Sequence, residues 1–209
     1  MDEFNFLGVV IDKHITWNSH VQKISGKIAS IAGTLTRLKR FLPKAILKII
    51  YNALIQPHLN FGVLLWGSNT KRVYKLQKWA LRAITCSKYN AHCMPLFKEL
   101  KLLTIQDIYK LNMFKFYYKY KKSILPNYFK DMFKENFLDH EHATRYKNEP
   151  VPSSIRHTVP SIIKNSEHLD KIDKLSLQSF SKSVKNSLIK DYDPICRIRN
   201  CYICQKVKT

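Results

Sequence analysis

The amino-acid sequence predicts a mainly α-helical fold: a helical bundle preceded by a short β-hairpin and followed by a loosely ordered basic extension. Three observations carry that expectation. Apolar residues recur at steps of three and four along much of the chain, the period of helices with one buried stripe. Only five Gly and eight Pro occur among 209 residues, too few turn formers for an all-β sandwich. With 45% apolar and 12% aromatic residues the chain can bury a core, and its length suits one domain with an appended tail.

The elements follow in chain order. Residues 4–12 read FNFLGVVID, a β-branched run suited to a buried strand, with Asp12, Lys13 and His14 turning the chain toward Ile15 and Trp17. This is a hairpin or an edge strand without a sheet of its own, and two short strands need further strands or a helix to hold them. Thr16 is placed to cap the next helix, whose Val21, Ile24, Ile28, Ile31, Leu35 and Leu38 form one apolar stripe. The opposite face carries a second regular series, Ser19, Lys23, Gly26, Ser30, Gly33, Arg37 and Arg40. It is small in the middle and cationic toward its ends. A helix-interior glycine costs about 1 kcal/mol relative to alanine, which close approach of a phosphate backbone, or of another helix, would account for.

Pro43 suits the first turn of a second helix through Lys44, Ile46, Leu47, Ile50 and Leu54. Pro57 breaks or kinks it, and the apolar run ending at Trp66, a core residue, stops at Gly67, a C-terminal cap. Ser68 or Asn69 caps a further helix in which Val73, Leu76, Ala80, Ala83 and Ile84 point inward. Its other side is a ridge of Lys71, Lys75, Lys78 and Arg82. Solvated helix faces usually mix charge signs, because opposite charges one turn apart stabilise them; a ridge of one sign reads as a nucleic-acid contact first and a plain solvated face second. Thr104 and Asp107 form a capping box that opens a helix rich in Phe and Tyr, whose rings, spread all round it, read as core and which ends before Pro126. Residues 140–160 are polar, proline-bearing and aperiodic, a linker or loosely held extension, and residues 175–189 are amphipathic enough for one more helix. The expected division is therefore residues 1–16 as the strand or hairpin, 17–125 as the helical domain, and 126–209 as linker and basic extension. No repeat of fixed period is present.

Charge narrows the function. The chain holds 36 Lys or Arg against 15 Asp or Glu, a formal charge of +21. Residues 13–98 contain fifteen Lys or Arg and no Asp or Glu. So one-sided a field attracts a polyanion, because neutralised phosphates release condensed counterions, and solubility alone does not require it. The N-terminus lacks a secretory signal pattern and no apolar stretch approaches a membrane span, so the expected location is intracellular, nuclear or cytoplasmic, with no membrane partner.

Several constellations carry less. Five cysteines are an odd number and read as free thiols. Cys196, Cys201 and Cys204 have one gap that suits a tetrahedral zinc site, but a fourth ligand would need His157 or His168 to fold back. His140, Glu141 and His142 lack the four-residue separation that puts two His on one helical face. Asp191 and Asp193 read as solvated groups. No Gly-rich phosphate loop and no Ser/His/Asp set stands out.

The order FLGVVID, ITWNSHVQKIS, FLPKAILKIIYNALIQPHLNFGVLLWG, LQKWALRAI and PLFKELKLLTIQDIYKL resembles the C-terminal part of reverse transcriptases encoded by non-LTR retrotransposons of the jockey-like class, over about residues 6–133. The resemblance implies that the leucine-glycine strand is the end of a palm, beside the primer grip. The helices after it would be the thumb that holds the template and primer. The implied partner is an RNA or RNA/DNA template-primer duplex, bound by Lys23, Gly26, Ser30, Gly33, Arg37, Arg40, Lys71, Lys75, Lys78 and Arg82. Polymerisation in that family needs two divalent metals on palm carboxylates, including a Tyr-X-Asp-Asp turn. This chain has no adjacent aspartates. The expectation is thus a thumb and tail with no cofactor of its own, magnesium belonging to a palm upstream, and no catalysis by this chain alone. Two alternatives accompany it: a thumb subunit that completes a palm-containing polymerase fragment in trans, its strand at residues 6–11 joining the partner's sheet, and a decayed, non-functional remnant.

Overall fold

The computed structural model describes residues 3–130, 132–133, 158–159, 162–163 and 172–192. It is mainly helical with one two-stranded antiparallel sheet at the N-terminal end. Strands β1 (Glu3–Phe6) and β2 (Val9–Asp12) pair with Phe6 opposite Val9 and Glu3 opposite Asp12. The chain reverses at Leu7 and Gly8, both at positive φ (47° and 89°). Such two-residue turns match the twist of paired strands. The reversal therefore falls inside the run expected to be one strand, and Asp12 has another task. Its carboxylate accepts hydrogen bonds from the backbone N–H groups of His14 (3.2 Å), Thr16 (2.8 Å) and Trp17 (2.8 Å). These bonds pin the entry to α1 (Asn18–Leu38) and lower the Asp12 pKa, the Thr16 N–H contributing most. Thr16 was expected to cap this helix; its hydroxyl instead donates to Asp12 (3.1 Å), and the N-cap position is Trp17.

By its contacts the chain forms two compact units, one of Met1–Tyr109 with Lys185–Thr209 and one of Lys110–Val184. In the first, α1 buries Val21, Ile24, Ile28, Ala32 and Leu35, each large side chain contributing roughly 1.5–3 kcal/mol by leaving water. Helix α2 (Lys44–Ile50) follows Pro43, continues through a π-helical turn at Tyr51–Ile55, and resumes as α3 (Gln56–Asn60) and α4 (Val63–Trp66). The buried residues along this stretch are Leu47, Tyr51, Ile55, Leu59 and Val63. Steps of four drift off one face of a 3.6-residue helix, and the wider i→i+5 turn restores the register while Pro57 occupies the first turn of α3. Ile46 and Leu54, off that buried line, are 40% and 49% exposed.

Gly67 ends α4, donating its N–H to the carbonyl of Val63 at 2.8 Å. Its φ of −66° is ordinary, so left-handed geometry is not what requires glycine. A Cβ there would lie 2.3 Å from Tyr109 Cδ2 and 2.4 Å from the Val63 carbonyl oxygen. Close approach is the reason.

Helix α5 (Lys71–Ile84) buries Val73, Gln77, Ala80, Leu81, Ala83 and Ile84. Gln77 is fully buried and fully used. Its amide nitrogen donates to Tyr51 Oη (2.8 Å) and the Leu103 carbonyl (2.9 Å), and its oxygen accepts from the Ile105 N–H (2.9 Å). Helix α6 (Met94–Leu100) then leads to α7 (Ile105–Lys121). Half of the expected capping box forms at its start: Thr104 Oγ1 accepts from the Asp107 N–H (3.2 Å), while the Asp107 carboxylate takes the Thr104 hydroxyl (2.6 Å) and not the Thr104 N–H. Tyr192 closes this cluster, accepting from the Thr104 N–H (2.9 Å) and donating to Asp107 Oδ2 (2.6 Å). Burial and the Asp107 carboxylate hold the Tyr192 phenol far above the usual range.

The second unit is built on aromatic packing. Tyr117, Tyr120 and Phe116 surround Phe133 with ring centroids 4.7–6.3 Å apart. Tyr118 lies over Phe180 of α8 (Leu177–Lys190) at 5.2 Å and donates to the Leu175 carbonyl at 2.8 Å. Of the α7 rings expected to be core, Phe114, Tyr117 and Tyr118 are buried and Phe116 and Tyr120 half-buried, and the amphipathic segment near the C-terminal end is a helix. The segment 140–160 lies almost entirely outside the described residues.

Candidate nucleic-acid interface

Helices α1 and α5 lie side by side and run in the same direction. Near their N-terminal ends Asn69 Nδ2 donates to Asn18 Oδ1 at 2.7 Å. Further along both, a Cβ built on Gly33 would meet Trp79 Cη2 at 3.9 Å, an ordinary contact. The Asn69 side chain is therefore an inter-helix tie, and Thr70 takes the N-cap position expected for Ser68 or Asn69.

The sequence-derived residues divide in three. On α1, Lys23, Gly26, Ser30 and Arg37 are exposed, as is Arg40 just past its end. The N-terminal end of that series is partly occupied by the hairpin, since Ser19 Oγ bonds to Glu3 and Lys23 Nζ reaches the Gly8 carbonyl at 3.5 Å. Gly26 has no atom within 4 Å of an added Cβ, so no neighbouring helix explains it. Gly33, in contrast, sits at the helix seam. On α5, Lys71 and Lys75 are exposed, whereas Lys78 and Arg82 are engaged within the protein. The Lys78 ammonium lies 4.6 Å from the centroid of the Tyr74 ring. Arg82 donates from Nε (3.1 Å) and Nη2 (2.9 Å) to the Ala91 carbonyl, bonds that tether the loop after α5.

Three residues were not singled out from sequence. Lys27 on α1 and Arg72 on α5 are exposed beside the two series, and Trp79, 38% exposed, stands one turn after Lys75. Helical spacing placed Lys27 and Arg72 within reach of the ridges. Nothing local marked Trp79, because its position depends on Gly33 of another helix.

The charge on this surface is uncompensated. Among the described residues no Lys or Arg of α1 or α5 is within ion-pair distance of a carboxylate; the pairs that form are Lys44 with Glu99 and Lys122 with Asp173 (3.5 Å). Like charges one turn apart repel, so the arrangement disfavours the isolated fold and favours a bound polyanion. The field also reaches the histidines. His20, buried at the hairpin, accepts the Val10 N–H on Nδ1 (3.2 Å), and its Nε2 has no partner. Burial, then Lys23, lowers its pKa. His58 is lowered by burial and then Lys27.

Among the described residues no three His, Cys, Asp or Glu side chains converge. Cys196, Cys201, Cys204, His157 and His168, considered for zinc, lie outside the described residues, as do His140, Glu141, His142 and Asp193. No helix of the described residues is long and apolar enough to cross a membrane.

A helical unit with an unbalanced cationic surface is chemically suited to polyanions, and the sequence comparisons give that class a more particular relation, to reverse transcriptases. Over 111 residues the chain is 29% identical to a probable RNA-directed DNA polymerase from transposon X-element of Drosophila melanogaster, covering 49% of this chain and 12% of that protein. It is 26% identical over 110 residues to the corresponding protein from transposon BS of the same species, with 49% and 12% covered. An uncharacterized Caenorhabditis elegans protein is 27% identical over 81 residues, 39% of this chain and 41% of that one. The chain thus spans about an eighth of the transposon polymerases it matches. No protein-family model and no solved structure matches it.

Proposed function

We propose that this chain is the duplex-gripping, thumb-like part of a jockey-like non-LTR retrotransposon reverse transcriptase, holding RNA or RNA/DNA template-primer by its phosphates. The observation that supports the reading is the closeness of Gly33 on α1 to Trp79 on α5, which sets beside each other two helices whose exposed cations can act together. Lys27, Arg37, Arg40, Lys71, Arg72 and Lys75 supply the charge. Gly26 and Ser30 let a sugar-phosphate strand approach the α1 backbone, and an A-form duplex presents a wide, shallow minor groove to such a face. Lys78 and Arg82 shape the protein behind this surface. Chemistry is assigned to carboxylates and magnesium elsewhere in the polymerase.

Substituting Arg37 and Arg40 together by glutamine weakens RNA duplex, hybrid and DNA duplex alike, as backbone recognition requires. A loss confined to one sequence contradicts it. Primer extension by this chain with Mg²⁺ or Mn²⁺ yields no incorporation; measurable incorporation overturns the assignment of chemistry elsewhere.

The hairpin favours a second, compatible role. The outer edge of β2 is occupied by His20, whereas β1 has β2 as its single partner strand among the described residues, with Phe4 and Phe6 63% and 55% exposed. The edge available to a palm sheet in trans is thus β1, and mixing with a palm fragment should restore extension. No restored activity leaves binding alone.

A further inference from the structure

Trp79 is poorly explained by packing alone. Of the other two tryptophans, Trp17 is half-buried at the entry to α1, and Trp66 is fully buried and donates its indole N–H to the Phe61 carbonyl at 2.9 Å. Trp79 has 38% of its surface exposed, and its indole N–H makes no hydrogen bond among the described residues. Toward α1, the ring atom nearest to a Cβ built on Gly33 would be Cη2, at 3.9 Å. With about 250 Å² for a whole tryptophan side chain, roughly 95 Å² of it stays in water, an area close to one face of the indole. A leucine would fill the seam without leaving that much aromatic surface outside.

The surroundings give that exposed surface a use. On α5, Lys75 precedes Trp79 by one turn and Arg72 by two, both exposed, and across the seam Ser30 and Arg37 lie one turn on either side of Gly33. An aromatic ring set in a cationic surface is the arrangement that binds single strands, phosphates on the cations and a base on the ring. Paired bases inside a duplex offer no free face to stack on.

We propose that Trp79 is a stacking platform for an unpaired base, so that this surface takes a single-stranded stretch continuous with the duplex. The proposal rests on the nucleic-acid reading above and adds the kind of nucleic acid preferred. Stacking is tolerant of base identity, so the preference is for an unpaired segment and not for a sequence. It is also uncharged, and should add affinity without changing the salt dependence.

The test uses the full chain and two labelled RNA hairpins, one blunt and one bearing a three-adenosine tail, titrated at two salt concentrations. The unsubstituted protein should bind the tailed hairpin about tenfold tighter. Trp79→Leu should abolish that preference while keeping blunt-hairpin affinity and salt slope. Lys75→Gln should weaken both hairpins alike. Equal affinity for the two hairpins in the unsubstituted protein, or a tail preference that survives Trp79→Leu, overturns the stacking role. If Lys75→Gln and Arg37→Gln leave binding unchanged, the cationic-surface reading itself is at fault. Trp79→Phe, which keeps a ring, provides a readout that does not depend on tolerance of leucine: the tailed hairpin should quench tryptophan emission in the unsubstituted protein and not in Trp79→Phe. Quenching that persists in Trp79→Phe contradicts the proposal.

Discussion

One substitution, glycine to alanine, should act with opposite sign at two positions for reasons visible in the structure. Gly26 lies inside the 21-residue helix α1, exposed, with nothing within 4 Å of an added Cβ. Alanine there gains helix propensity of about 0.8–1 kcal/mol with no clash to offset it. In a chain of this size that raises Tm by about 2–4 °C. At Gly67 the same methyl would sit 2.3 Å from Tyr109 Cδ2 and 2.4 Å from the Val63 carbonyl oxygen. The oxygen is main chain of α4 and cannot rotate away, so Gly67→Ala should lose at least about 1–3 kcal/mol. Urea unfolding of the full chain with a shared m-value measures both. The Gly26 variant has a second readout: if a phosphate strand lies against α1, the more stable protein binds RNA duplex more weakly. A destabilised Gly26→Ala, or a neutral Gly67→Ala, refutes the packing described here. Unchanged RNA affinity in Gly26→Ala removes that glycine from the interface.

Gln77→Leu orphans the Leu103 carbonyl, the Ile105 N–H and the Tyr51 hydroxyl together; at roughly 1–2 kcal/mol each it should cost about 3–6 kcal/mol by urea unfolding, whereas exposed Gln106→Ala should stay within about 0.5 kcal/mol. His20, His58 and His92 all have pKa values lowered in the fold, by burial first and then by Lys23, Lys27 and Lys78 respectively. The unfolded chain then binds more protons, so their stabilising effect is full above the ordinary value of 6.5 and is lost as pH falls below it. Thermal melts should show Tm falling as pH drops below that value, less so in His20→Gln; a Tm that rises instead contradicts the sign.

Much of this was legible in the sequence because it is local. The three-and-four stripe of α1, the Thr104–Asp107 capping box and the aromatic surplus of α7 each depend on neighbours within a turn or two. What was missed depends on distant chain. Gly67 is the cap it looked like, but the reason the site requires glycine is Tyr109, 42 residues on. Pro57 predicted a kink, while the buried steps of four demanded a π-helical turn. In the candidate site, spacing found the two ridges, but it could not say that Lys78 would turn to Tyr74 and Arg82 to the Ala91 carbonyl. Nor could it place Trp79 against Gly33.

The central claim, that cations of α1 and α5 form one phosphate-binding surface, is tested most directly by the salt dependence of affinity for an RNA duplex. Roughly six phosphate contacts predict a slope of log K against log salt near −5, and Arg37→Gln and Lys75→Gln should each reduce its magnitude by about one, additively. A slope near zero, or one that neither substitution changes, contradicts the account.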